Sequence, residues 1–105
     1  MDAEAEDCPP VEIPEGALFR ELLIVNKKGL HARASAKFVQ TVERFDAAVT
    51  VTRCGETVGG RSIMGLLTLG AAKGTTITVT AKGHDAQESL SAITALVENR
   101  FGEED

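Results

Sequence analysis

Two stretches of this chain alternate between apolar residues and threonine. Val49 and Val51 interleave with Thr50 and Thr52, and Ile77, Val79 and Ala81 interleave with Thr76, Thr78 and Thr80. A period of two places successive side chains on opposite faces of a pleated strand, so both stretches read as strands with one apolar face to bury. Cys54-Gly55 supplies a turn after the first, and a short, glycine-interrupted strand through Val58 completes a hairpin. A further strand is expected from Phe19, where Leu22, Leu23, Ile24 and Val25 form an apolar run that reads as buried and ends at Asn26, Lys27, Lys28 and Gly29.

The segments between these strands repeat with a helical period. Phe38, Val39, Val42 and Phe45 mark a helix from about His31 to Phe45, and Ala86, Leu90, Ile93 and Val97 mark another, started at His84-Asp85 and stopped at Gly102. Between them Ser62 precedes Ile63, Met64, Leu66, Leu67 and Leu69, a segment too short for a long helix, in which Leu66 and Leu69 are spaced to face inward and Met64 outward. The order is βαββαβα. A hairpin mixed with helices argues for an α+β fold: a four-stranded antiparallel sheet with helices packed on one face. With 105 residues and 43% hydrophobic composition, one domain with a modest core is expected.

Charge is unevenly spread. The first nineteen residues hold six acidic groups and no basic ones, and Glu103, Glu104 and Asp105 close the chain. Without these ends, the formal charge of −5 becomes 11 basic against 7 acidic residues. Such a body suits an acidic partner or a phosphate. It argues against nucleic acid, because the basic residues are scattered and there is no Tyr or Trp for base stacking. Residues 1–18, acidic and carrying Pro9, Pro10 and Pro14, are expected to form a mobile extension ahead of a domain over 19–105. Cys8 and Cys54 read as incidental, since no Cys-His metal spacing accompanies them and a disulfide is unusual in a reducing compartment. No metal site is expected. The absence of a long apolar window and of a basic signal segment points to the cytoplasm, without membrane insertion.

In Gly29-Leu30-His31-Ala32-Arg33-Ala34 a histidine stands where a helix begins. Unpaired N–H groups and a partial positive charge at a helix N-terminus bind anions and disfavour an imidazolium, leaving a ring nitrogen as a nucleophile. Arg33 can reach a phosphate on that ring with its guanidinium fork. On spacing alone, a histidine that merely caps the helix beside a solvated arginine is the commoner arrangement. His84 lacks a neighbouring arginine and reads as a cap or a solvated residue.

The string Gly29-Leu30-His31-Ala32-Arg33 followed by Phe38-Val39 resembles the active-site signature of the HPr family, the histidine phosphocarriers of the bacterial phosphotransferase system. About thirty residues on, Arg61-Ser62-Ile63-Met64-Gly65-Leu66-Leu67 with Leu69-Gly70 is similar to that family's second signature. The likeness spans about Phe19 to Phe101 and implies the HPr-like open-faced sandwich. It implies that His31 takes a phosphoryl group on its δ1 nitrogen from Enzyme I and passes it to a IIA-type protein, steadied by Arg33. Ser62 would be the target of HPr kinase/phosphorylase. Ile63, Met64 and Leu67, with Lys37, would form the partner-docking surface. The resemblance implies a monomer that needs no cofactor and serves either sugar uptake or a nitrogen-related regulatory branch. Ala34 departs from the family's usual proline, which loosens the first turn slightly and adds an N–H. Two other readings fit the element order: a noncatalytic regulatory module whose binding depends on phosphorylation, or an ACT-like ligand-binding domain.

Overall fold

A computed structural model describes residues 8–103. Within it lie β1 (Leu18–Leu23), α1 (Ala32–Val42), β2 (Ala48–Arg53), β3 (Glu56–Gly59), α2 (Ile63–Thr68), β4 (Thr76–Lys82) and α3 (Ala86–Glu98), followed by a 3-10 turn over Arg100–Gly102. The strands form one antiparallel sheet in the order β1-β4-β2-β3. Thus the α+β architecture expected from the alternation is the one observed. Val49, Val51, Ile77, Val79 and Ala81 all point to the helix side, where they meet Phe38, Val42, Leu66, Leu90, Ile93, Val97 and Phe101 in a single core. Cross-strand partners share a face, so the register Leu22↔Ile77 puts Leu22 in that core and leaves Leu23 on the opposite face.

The structure changes four expectations. First, Leu22 to Val25 is not a run buried on both sides: β1 is an edge strand, Leu22 and Ile24 are buried, and Leu23 is 54% exposed. Alternation along an edge strand explains this. Second, the helix begun at His31 ends at Val42, three residues before Phe45, which lies in a following turn and is only partly buried. Third, Thr78 and Thr80 are buried although they face away from the helices. Thr50 hydrogen-bonds Thr80 on that side, and Thr52 hydrogen-bonds Thr57 at 2.7 Å.

The fourth correction concerns the cysteines, and it accounts for part of that burial. Cys8 and Cys54 form a disulfide, with Cα atoms 4.5 Å apart. Cys54 lies in the β2–β3 turn, at the end of the sheet opposite Leu18, where β1 starts. The intervening segment therefore has to traverse the sheet. It does so on the threonine face, where Cys8, Pro9 and Val11 line one depression with Thr52 and Thr78, and Pro9 and Val11 line another with Thr52 and Thr57. Residues 8–17 are thus tied at both ends. Residues 1–7, the rest of the expected mobile extension, lie outside the described residues.

The loop between β1 and α1 sets where the helix starts. Leu30 N–H donates to Ala71 O at 2.9 Å, and the buried Asn26 side chain donates to Gly29 O at 2.8 Å. Gly29 has φ +68°, and a Cβ there would lie 2.4 Å from Ala71 O. Any side chain would meet both a left-handed backbone and a fixed carbonyl. Gly29→Ala should therefore lower stability by about 1–3 kcal/mol in urea denaturation. An unchanged midpoint would show that the loop yields.

Candidate functional site

His31 is the N-cap residue of α1, with extended backbone angles (φ −73°, ψ −177°), and its side chain makes no capping bond. The plain capping role is thereby removed. Its carbonyl accepts the first bond of the helix, from Ser35 N–H at 2.8 Å, so the N–H groups of Ala32, Arg33 and Ala34 precede the intrahelical ladder. They form a set of donors beside the ring. Arg33 follows on the exposed first turn and makes no hydrogen bond or ion pair among the described residues. Lys27, Lys28, His31, Arg33, Lys37 and Glu103 line an open depression of about 740 Å³. Four permanent cations against one carboxylate make it an anion site.

Glu103 was not singled out from the sequence, where it reads as part of an acidic terminus. In the structure its Oε2 is in hydrogen-bond contact with His31 Nε2, and its Oε1 accepts from Asn26 Nδ2 at 3.0 Å. Burial pushes the Glu103 carboxyl up, but the bonds from His31 and Asn26, aided by the charges of His31 and Lys28, outweigh it and hold the group below the usual carboxylate range. The backbone delivers this residue by strain. Arg100 and Phe101 both take left-handed φ, +57° and +55°, at a cost of about 1–3 kcal/mol each. Phe101 is then wholly buried in the core, and Lys37 Nζ donates to its carbonyl at 2.6 Å. Lys37, expected to bind partners, is therefore also a tether for the C-terminal turn.

Ser62 is the N-cap of α2, its Oγ accepting from Gly65 N–H at 2.9 Å. A Cβ on Gly65 would lie 2.9 Å from Val58 Cβ and 3.0 Å from Ser62 Oγ, so glycine is what admits this cap. Leu66 and Leu69 face the core, whereas Ile63, Met64 and Leu67 are exposed, Met64 at 71%. These burials agree with the sequence reading of the short helix.

His84 stands apart from this site. Its Nδ1 lies 2.7 Å from Asp85 Oδ1, and Asp85 Oδ2 accepts from Asp46 N–H at 2.8 Å. The hydrogen bond to Asp85 and that residue's charge raise the His84 pKa; the Asp46 N–H, then His84, lower that of Asp85. The raised histidine favours the folded state below its ordinary range and loses that effect as pH rises through its folded value. The lowered aspartate favours the folded state above its ordinary range and loses it as pH falls through its folded value. The pair is thus complete between the two. Nuclear magnetic resonance titration should give His84 a midpoint above about 6.5, and Asp85→Asn should bring it down. A midpoint insensitive to Asp85→Asn would show that the pair does not form.

Among the described residues no cluster of His, Cys, Asp and Glu could hold a metal ion, and no helix is long and apolar enough to cross a membrane. Residues 19–99 match the family model for the PTS HPr component phosphorylation site. The chain is similar to phosphocarrier protein HPr of Cupriavidus necator, 48% identical over 86 residues covering 82% of this chain and 97% of that protein. It is also similar to phosphocarrier protein NPr of Shewanella violacea, 43% identical over 86 residues covering 82% and 94%. The crystal structure of HPr from Thermoanaerobacter tengcongensis superposes with a TM-score of 0.80 at 39% identity, covering 84% of this chain and 99% of that one. A match over nearly all of the described domain, with the sheet and three helices of those structures, establishes that the chain belongs to the HPr family of phosphocarriers of the phosphotransferase system.

Proposed function

We propose that this chain accepts a phosphoryl group from Enzyme I on Nδ1 of His31 and passes it to a histidine of a IIA-type protein, working as a monomer in the cytoplasm. The observation that carries this reading is the histidine's position: its ring is free of capping duty, beside the open N–H groups of α1 and within a depression rich in cations. The nucleophile, the backbone donors and Arg33 are supplied by one turn of chain. In the transfer, the Nδ1 lone pair forms the new nitrogen–phosphorus bond as the donor's breaks, and the donor keeps that electron pair. The helix N-terminus and Arg33 meet the phosphoryl oxygens. Incubation with phosphoenolpyruvate and Enzyme I should produce an acid-labile, alkali-stable phosphate on the protein; none would overturn the reading.

Ile63, Met64 and Leu67 form the apolar part of the docking surface, and Ser62, the target of HPr kinase/phosphorylase, is its switch. Exposed apolar side chains with an adaptable methionine suit a surface that meets several partners. A phosphate on Ser62 brings a charge of about −1.5 to −2 at a helix N-terminus, which the fold tolerates, and sets it against acidic partners. Phosphoserine at 62 should therefore slow transfer to His31 far more than it alters the unfolding midpoint, with the greater slowing at low salt. Equal rates for modified and unmodified protein at low salt would leave Ser62 as a helix cap alone.

A further inference from the structure

The phosphoacceptor ring is held from behind by a residue 72 positions away in sequence. Glu103 presents one oxygen to His31 Nε2 and the other to Asn26 Nδ2, while the same Asn26 nitrogen donates to Gly29 O, two residues before the histidine. The carboxylate is therefore fixed to the loop that fixes the ring. The His31 and Glu103 side chains are 27% and 17% exposed, enough for a partner to reach the ring while the contact stays sheltered. An ionised carboxylate only accepts hydrogen bonds, so the nitrogen facing it has to carry a proton.

We infer that Glu103 is a positioning residue for phosphoryl transfer: it holds His31 in the Nε2–H tautomer, leaving the Nδ1 lone pair for phosphorus, and faces the positive charge that the ring gains. This rests on the carrier reading above. As Nδ1 bonds to phosphorus, the Nε2 proton stays in place and the ring becomes cationic. A carboxylate already hydrogen-bonded to that N–H stabilises the cation without reorganising. Asn26 and the strained turn at Arg100–Phe101 keep the carboxylate from swinging away. The strain has an evident product, because an unstrained helix end would carry residue 103 elsewhere.

The test uses the full chain labelled with 15N at histidine, as wild type, Glu103→Gln and Glu103→Ala. In the wild type at neutral pH, long-range proton–nitrogen spectra should show the neutral His31 ring almost wholly in the Nε2–H form. His84, held at Nδ1 by Asp85, serves as an internal reference. Glu103→Ala should release His31 to a mixture of tautomers. Glu103→Gln offers one acceptor to two donors, His31 and Asn26, and should do the same in part. Phosphoryl acceptance from Enzyme I should slow by about tenfold to a hundredfold in Glu103→Ala, by analogy with the loss of the orienting partner of a metal-ligating histidine. Glu103→Asp, which keeps the charge, should recover part of both signals. Tautomer populations identical in all four proteins would overturn the inference even if His31 carries phosphate normally. Conversely, a tautomer set by Glu103 in a protein that Enzyme I cannot phosphorylate would overturn the carrier reading and with it the catalytic part of the role.

Discussion

His31→Ala should reduce phosphoryl acceptance to background while leaving the fold intact. The side chain lies at the surface end of α1 without a capping bond, so its loss removes the contact with Glu103 and no core packing. Even a working cap contributes only about 1 kcal/mol. No second acceptor replaces it: His84 is on the far loop, strongly exposed, with its Nδ1 already against Asp85 and no arginine beside it in sequence. Arg33→Ala gives the contrast. The open N–H groups at Ala32, residue 33 and Ala34 remain, so that variant should slow transfer by about tenfold, equivalent to one charge-assisted hydrogen bond of about 1.5 kcal/mol. Phosphorylated His31→Ala would move the acceptor elsewhere, and an Arg33→Ala rate equal to wild type would remove the guanidinium from the mechanism.

The half of the site carried by one short segment was legible in the sequence; the half assembled over distance was not. Gly29, His31 and Arg33 announce themselves because a turn, a helix start and an anion-binding chemistry coincide within five residues. Ser62 announces itself as a cap before an apolar turn, and Leu66 and Leu69 fall inward where their spacing puts them. Glu103 gives no such signal. It reads as one of three acidic residues closing the chain, and only the two left-handed residues before it aim it at His31. Non-glycine residues are not expected in that conformation, so the pattern that could have revealed the partner is one that local rules argue against. Asn26 reads as the residue that ends the first strand, but β1 already stops at Leu23, and the buried Asn26 side chain instead links the loop to Glu103. The threonine face misled for a related reason: alternation assigns it to solvent, and alternation carries no information about a proline-rich segment returning across it.

Cys8→Ser should lower the stability of this domain substantially, although residues 8–17 carry almost no regular structure. The disulfide closes a loop with a sequence separation of 46. Removing such a cross-link frees the unfolded chain by about 4 kcal/mol on the chain-entropy account, and measured values fall at about 2–4 kcal/mol. For a domain of this size that corresponds to a fall in Tm on the order of 10–20 °C. The strap's place beside Thr52, Thr57 and Thr78 then becomes optional, because Pro9 and Val11 are no longer held near them. Cys8 is the better site for the test, since Cys54 has a left-handed φ of +47° in the hairpin turn and its replacement would perturb the turn as well. Thermal unfolding of the wild type in excess dithiothreitol should fall to the midpoint of Cys8→Ser, while the variant should ignore the reductant. In a reducing cytoplasm the same bond would face thiol reductants, so the stability of the carrier would follow the redox poise around it. Two free thiols titrated in denatured, unreduced wild type, together with a midpoint unmoved by dithiothreitol, would show that the strap is not closed and that the sheet stands without it.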